Sequence, residues 1–135
     1  MPRIDHWEQA LALAIETARA EPFVWGRHDC PSFAFETRAA LTGGEDIAAL
    51  WRGRYSTALG GQRVLRRLGW RSLEEMGRAL LAVPLEHCLA AQRGDLVLAR
   101  DPEAFGVVLG ARAAFVAPEG LVSLPLRECR LAWRT

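Results

Sequence analysis

The sequence predicts an α+β fold in which helices come first and an antiparallel sheet follows. Up to Pro84, apolar residues recur at helical spacing between recognisable helix caps; beyond about residue 95, short apolar runs alternate with turn residues. Helices followed by strands, without alternation, are typical of α+β proteins. The 135 residues contain no repeat, low-complexity segment or linker, so we expect one domain over residues 1–135.

The first helix is predicted from about Asp5 to Arg19. Asp5 and Glu8 have the spacing of a capping box, and Pro22 ends the segment. The apolar residues that recur on one face of this helix are Trp7, Leu11 and Ile15. The following segment, 23–25, is too short for a strand and is predicted as an ordered loop.

The second helix begins at a cysteine. Asp29 has the side chain of an N-cap, Cys30 follows it, and Pro31 is tolerated because it falls in the first turn. The helix is expected to end at Thr42-Gly43-Gly44, a strong stop signal.

Three further helical segments are predicted before Pro84. Asp46 opens a short helix, and a looser stretch runs from about Thr57 to Leu68, interrupted by Gly60-Gly61. Ser72 and Glu75 then form a second capping box that opens the last helix.

Four or five strands are predicted in the remaining residues. The turn signals between them are Asp101-Pro102, Gly110 and the segment 118–120. The predicted strands are Asp95–Ala99, Gly106–Leu109, Ala113–Val116, Leu121–Leu124 and, less regularly, Leu131–Trp133.

The composition excludes several classes of function. A formal charge of +1 gives no overall attraction to nucleic acid or to anionic lipid. No apolar run approaches the ~20 residues of a membrane span, and the N-terminus lacks the apolar core of a signal peptide. We therefore expect the chain to be made and kept in the bacterial cytoplasm, or to be carried out as part of a larger particle. The absence of lysine excludes lysine-based chemistry, and no cofactor is predicted.

Cys30 is the candidate nucleophile. The N-terminus of a helix carries partial positive charge, which favours the thiolate form of a cysteine placed there. A base must accept the thiol proton, and His28, two residues away, is the nearest candidate in the sequence. The alternatives are that Cys30 is a small apolar residue on a buried helix face, and that His28 only helps Asp29 to cap the helix.

The sequence favours neither a metal site nor a nucleic-acid interface. Three cysteines without a paired spacing predict free thiols. No metal site is predicted, because no two potential ligands are separated by the short intervals typical of zinc sites, such as Cys-x-x-Cys. The potential ligands are His28, Cys30, His87, Cys88 and Cys129. The segment from Arg52 to Arg71 holds six arginines and no acid; a solvated surface is the favoured interpretation, and nucleic-acid binding is not expected.

Four short motifs together carry a resemblance to a known family. They are Trp25-Gly26, Asp29-Cys30, Gly94-Asp95-Leu96-Val97 and Phe105-Gly106-Val107-Val108-Leu109-Gly110. In this order and spacing the chain resembles the NlpC-type cell-wall cysteine peptidases, which have a papain-like fold, and it is most similar to a branch found in phage tail modules. The resemblance implies a papain-like domain, a nucleophilic Cys30 and a peptidoglycan substrate.

The chain departs from that family at the base. The family's histidine falls at Ala104-Phe105, and its third polar residue falls near Phe115 and Val116. Two functions are therefore expected: a divergent peptidase that uses Cys30 and His28, or a non-catalytic tail-tip or tail-assembly component. Other tail proteins are the expected partners, with peptidoglycan as a further one, and the virion tail is the expected final location.

Overall fold

The computed structural model describes residues 2–135, so that Met1 of the expected domain lies outside it, and it confirms the α+β class. Helices occupy the first two thirds of the chain and a five-stranded antiparallel sheet the last third. The α-helices are α1 (Trp7–Ala20), α2 (Cys30–Thr42), α3 (Ala58–Arg67) and α4 (Leu73–Leu81). The strands are β1 (Leu96–Arg100), β2 (Glu103–Val108), β3 (Arg112–Ala117), β4 (Gly120–Pro125) and β5 (Cys129–Trp133). Within residues 2–135, no helix is long and apolar enough to cross a membrane.

The sheet has the order β4-β3-β2-β1-β5. The first four strands form a meander, and the chain then passes from the β4 edge to the opposite edge, where β5 pairs with β1. Val97 on β1 lies opposite Gly106 on one side and Ala132 on the other. The strand that follows the Gly94-Asp95 turn therefore lies inside the sheet.

The two faces of the sheet bury different sets of residues. Leu96, Leu98 and Phe105 point toward the helices, where the aromatic ring of Phe35 on α2 lies 5.4 Å from that of Phe105. Val97 and Val108 point to a second apolar cluster on the other face. This alternation follows from the two-residue period of a strand, and it places β2 directly against α2.

The helix starts agree with the predictions except at α1. His6 precedes α1 with a left-handed backbone (φ 61°), and no side chain of residues 2–135 caps this helix, so the prediction of an Asp5 capping box was wrong. Asp29 caps α2 as predicted. At α4 the Ser72 hydroxyl accepts from the Glu75 N–H, and Glu75 reaches one residue further back than expected, to the Arg71 N–H.

The glycine pair Gly60-Gly61 does not interrupt α3. The helix is continuous from Ala58 to Arg67, and the ring of Tyr55 packs against it at this point. A Cβ atom at Gly61 would lie 3.1 Å from the Tyr55 ring, so the small residue allows the close approach. The glycine pair that the sequence predicts to be a helix breaker therefore provides the surface on which the Tyr55 ring packs.

Candidate functional site

The segment before α2 forms a tight loop held by its own backbone. Val24 and His28 pair as an isolated bridge, with hydrogen bonds of 3.0 and 2.8 Å. Gly26, at the tip, has a φ of +82°, and a Cβ atom there would overlap the Tyr55 carbonyl oxygen. The Gly53 N–H donates to the Gly26 carbonyl at 2.9 Å, so a second segment of the chain fixes this loop. Cys30 thus enters α2 from a rigid turn.

The Asp29 carboxylate is fully occupied by this local structure. It is buried (1 % exposed) and accepts from the Gly26 N–H at 2.9 Å and from the Ser32 N–H at 3.2 Å. The Tyr55 hydroxyl donates a third, short hydrogen bond to it. Burial, followed by the hydrogen bond to Asp29 and by the charge of that carboxylate, raises the pKa of Tyr55 well above its ordinary value. Asp29 therefore holds the loop, the helix start and Tyr55 together.

Cys30 is the first residue of α2 and is partly buried. Burial raises the pKa of its thiol to about 12; the Phe105 N–H, which points at the sulfur, opposes this, and the Asp29 and Glu103 charges add to it. The expected bias of the helix start toward the thiolate is thus outweighed by loss of hydration. At neutral pH the group is a thiol.

His28 lies on a different side of the helix start. Its Nε2–H donates to the Ala18 carbonyl at 3.2 Å, and its Nδ1 lies 3.6 Å from the Glu21 carboxylate. It lines a cavity of about 290 Å³ between α1 and α2, whereas Cys30 lines a separate groove. The structure does not bring these two predicted site residues together.

The other two histidines are also directed elsewhere. His6 and His87 are exposed residues at the starts of α1 and of a short 3₁₀ turn, Cys88–Ala90. No hydrogen bond joins any histidine to Cys30 in the part of the chain that the structure describes.

The positions that correspond to the base and the third polar residue of the NlpC-type peptidases hold apolar side chains, and these side chains pack in apolar surroundings. Ala104 packs on the far face of the sheet, and Phe105 faces α2 but fills the core against Phe35. Phe115 and Val116 are both buried, on opposite faces of β3. None of these side chains has a proton acceptor to offer Cys30.

Glu103 is the ionisable residue of β2 that reaches the groove. It lies two residues before Phe105 and so shares its face of the strand. Its carboxylate accepts from the Leu73 N–H at 2.8 Å, which satisfies the first free donor of α4. Glu103 therefore links the sheet to the start of α4.

The groove that contains Cys30 has a volume of about 480 Å³. It runs between the start of α2, the inner face of α3 and the start of α4, and its walls are mostly apolar. The residues that line it are Trp25, Asp29, Cys30, Pro31, Trp51, Tyr55, Ala58, Gly61, Gln62, Val64, Leu65, Arg66, Arg71, Ser72, Leu73 and Glu103. The space is sufficient for a few residues of an extended peptide.

The potential metal ligands are dispersed. The single S–H of Cys88 has the Leu126 and Cys129 carbonyl oxygens within reach as acceptors, at 3.4 and 3.2 Å, on the far face of the sheet from Cys30. Burial, followed by the Cys88 and Glu128 charges, raises the pKa of Cys129 to about 11. Residues 2–135 contain no group of three or more His, Cys, Asp or Glu side chains that could hold a metal ion.

The basic segment divides into one paired arginine and five others. Arg52 forms ion pairs with Glu36 at 2.6 Å and Asp46 at 2.8 Å, which raise its pKa further. Across residues 2–135 the remaining five have no ion-pair partner: Arg54, Arg63, Arg66, Arg67 and Arg71. Acids elsewhere in the chain therefore neutralise only one member of this segment.

Tyr55 and Glu103 belong to the site although no motif in the sequence predicts them. Tyr55 is the only tyrosine and follows no motif, and its partner Asp29 lies 26 residues earlier. Glu103 immediately precedes Ala104-Phe105, where the histidine of the resembled family falls. Once Glu103 and Phe105 are known to share one face of β2, this position in the sequence points to Glu103 as a residue of the groove. The sequence shows that Arg66 belongs to the basic segment, but its position on the groove side of α3 depends on how that helix packs.

The fold and the groove define an α+β domain with a cysteine at the start of a helix that packs on an antiparallel sheet. The chain belongs to the family described as a domain of unknown function, DUF6950, whose model matches residues 2–135. No curated protein matches the chain.

Proposed function

We propose that this chain is an NlpC-like domain of a phage or prophage tail that binds other tail proteins through its groove and does not catalyse hydrolysis. The observation that carries the proposal is the setting of Cys30, a neutral, partly buried thiol with no imidazole partner among residues 2–135. Its immediate neighbours are a backbone N–H and the two acids Asp29 and Glu103. The tail setting rests on the resemblance of the four motifs to the tail-module branch of the NlpC family.

The positions of those motifs support an NlpC-like fold. Trp25-Gly26 forms the turn before α2, Asp29 caps this helix, and β2 lies against Cys30. The Gly94-Asp95 motif precedes the interior strand β1, where Asp95 is fully buried. Each motif thus has a structural task in the described residues that does not require catalysis.

The chemistry of the groove argues against a nucleophile. With a pKa of about 12, roughly one thiol in 10,000 or fewer is ionised near neutral pH. The Asp29 carboxylate is committed to three donors, and a carboxylate such as Glu103 is a far weaker base than a thiolate. Proton removal from Cys30 is therefore unfavourable in this arrangement.

A second candidate, a cysteine peptidase acting on cell-wall peptides, is favoured by one observation. Cys30 lines a groove of about 480 Å³ rather than a closed core, so a peptide can approach its sulfur. Under this hypothesis the nucleophile would be Cys30, and His28 would have to leave Ala18 and Glu21 to act as the base.

Alkylation of a single-cysteine protein separates the two candidates. In a Cys88→Ser/Cys129→Ser background, we expect iodoacetamide at neutral pH to modify Cys30 at least about tenfold more slowly than N-acetylcysteine. A Cys30→Ser version gives the background. Modification faster than the free thiol, together with peptidoglycan hydrolysis that Cys30→Ser abolishes, would establish the peptidase instead.

The binding half of the proposal has its own test. The purified chain is mixed with each protein encoded beside it, and complex formation is measured by size-exclusion chromatography with light scattering. We expect a stoichiometric complex with at least one of them. A chain that stays monomeric with every neighbouring gene product contradicts the assembly role.

A further inference from the structure

The charged side chains that line the groove differ in whether the protein itself pairs them. The carboxylates of Asp29 and Glu103 accept hydrogen bonds from donors of the protein itself. Arg66 and Arg71 are exposed and have no acid within ion-pair distance anywhere in residues 2–135. These two arginines are therefore the charged groups of the described lining that are available to a ligand.

The arrangement of α3 separates these arginines from the rest of the basic segment. Ala58, Gly61, Gln62, Leu65 and Arg66 line the groove and recur at the spacing of one helix face. Leu59, Arg63 and Arg67 follow one another at four-residue intervals on another face, and all three are exposed. Arg66 is thus the arginine of α3 that belongs to the groove.

Arg71 joins Arg66 in the groove lining from the loop before α4. Both arginines also border an adjoining depression with Gly69 and Trp70, so the groove and this depression share these two residues. Two guanidinium groups beside an indole ring suit a carboxylate, because each can donate parallel N–H bonds to it. The apolar walls along Leu65 and Trp25 suit aliphatic or aromatic side chains.

We infer that the groove binds an extended segment of a partner protein whose aspartate or glutamate side chain pairs with Arg66 and Arg71. This inference rests on the proposed function, since it names the chemistry of the partner that the groove would hold. Two features favour a peptide over nucleic acid: the groove walls are mostly apolar, and Asp29 and Glu103 place negative charge in the same groove.

The test uses two fluorescein-labelled octapeptides, one alternating glutamate and leucine and the other alternating glutamine and leucine. We expect the acidic peptide to bind the full chain at least about tenfold more tightly than the neutral one, as measured by fluorescence anisotropy. Arg66→Gln/Arg71→Gln should remove about tenfold of this affinity. The matched control, Arg63→Gln/Arg67→Gln, removes the same charge from the other face and should change affinity less than about twofold.

An independent readout locates the ligand. In ¹⁵N-labelled protein, the indole signals of Trp25 and Trp70 should shift on titration with the acidic peptide, while that of fully buried Trp133 should not. Comparison of the two peptides on the unaltered chain keeps the test valid if a variant does not fold.

Four results would overturn the inference: no binding of the acidic peptide at about 1 mM, equal affinity for both peptides, equal loss in the two arginine variants, or tighter binding of a labelled thymidine oligonucleotide. The proposed function fails separately. A reactive Cys30 together with peptidoglycan hydrolysis that Cys30→Ser abolishes refutes the non-catalytic role whatever the peptide does, whereas an inert Cys30 with no peptide binding refutes only the inference.

Discussion

The Arg3 guanidinium donates to the Asp95 carboxylate at 3.0 Å, across 92 residues of chain. Asp95 is completely buried, and it also accepts from the Gln92 N–H at 2.8 Å and from the Thr135 N–H at 3.2 Å. One carboxylate thus joins both ends of the described chain to the turn that starts β1. The Gly94-Asp95 motif is explained by this structural task.

Replacement of Asp95 by asparagine should destabilise the fold by about 2–3 kcal/mol, because a buried ionic acceptor with several donors loses its charge. Urea unfolding followed by circular dichroism measures this. Asp5→Asn, which changes an exposed carboxylate that has no hydrogen-bonded partner among the described residues 2–135, is the control and should stay within about 0.5 kcal/mol. Equal effects in the two variants would contradict the assigned role of Asp95.

The hydrogen bond from Trp51 to Ser32 should be visible in stability. The indole N–H of Trp51 donates to the Ser32 hydroxyl at 3.0 Å, and both residues are buried. Ser32→Ala leaves the indole N–H unpaired and should cost about 1–3 kcal/mol in urea unfolding. Ser56→Ala, at an exposed position, should be nearly neutral. A neutral Ser32→Ala would mean that the indole finds another acceptor.

Gly26→Ala should be much more harmful than Gly69→Ala. Both glycines have positive φ values, +82° and +102°, so both substitutions strain the backbone. A Cβ atom at Gly26 would also overlap the Tyr55 carbonyl, whereas at Gly69 it would meet nothing within 4 Å. We expect losses of about 3 kcal/mol or more and about 1 kcal/mol, respectively, in thermal or urea unfolding. Similar losses of stability in the two variants would show that the backbone around Tyr55 can move to accommodate a Cβ atom at Gly26.

Alkaline pH should destabilise the chain partly through Cys30. Burial raises the pKa of its thiol from 9.0 to about 12, so between these values the unfolded chain loses the proton while the folded chain keeps it. Stability is therefore full below about pH 9 and falls as the pH rises, by about 1 kcal/mol from pH 8 to pH 10 for this group. Urea unfolding at both pH values should show a smaller alkaline loss in Cys30→Ala. If Cys30→Ala loses as much stability at alkaline pH as the unaltered chain, another group is responsible for the pH dependence.

The predictions from the sequence were most accurate where the signal is local. The N-cap Asp29, the stop at Gly43 and the cap Ser72 all depend on residues within one helical turn, and all three are confirmed. The Asp5 capping box was wrong because His6 takes a left-handed conformation that moves the helix start by one residue. The second strand begins at Glu103, three residues earlier than predicted, because its first residues pair with the end of β1.

The parts of the site that were missed depend on contacts between distant segments. Tyr55 meets Asp29 only because α3 carries glycine where the ring packs, and Glu103 meets Leu73 only because β2 lies beside the start of α4. No spacing in the sequence encodes either contact. The separation of His28 from Cys30 also depends on the tertiary structure, because two residues that are two positions apart in a loop can face opposite sides of that loop.

The sequence by itself determined the order of helices and strands and the position of Cys30 at a helix start. These follow from side-chain periodicity and from capping, which act over a few residues. Only the tertiary structure decided whether this cysteine is activated. The desolvation of the sulfur and its two acidic neighbours depend on how β2, α2 and the Tyr55 segment pack together. Burial acts on the thiol more strongly than the helix start does, and it leaves Cys30 protonated.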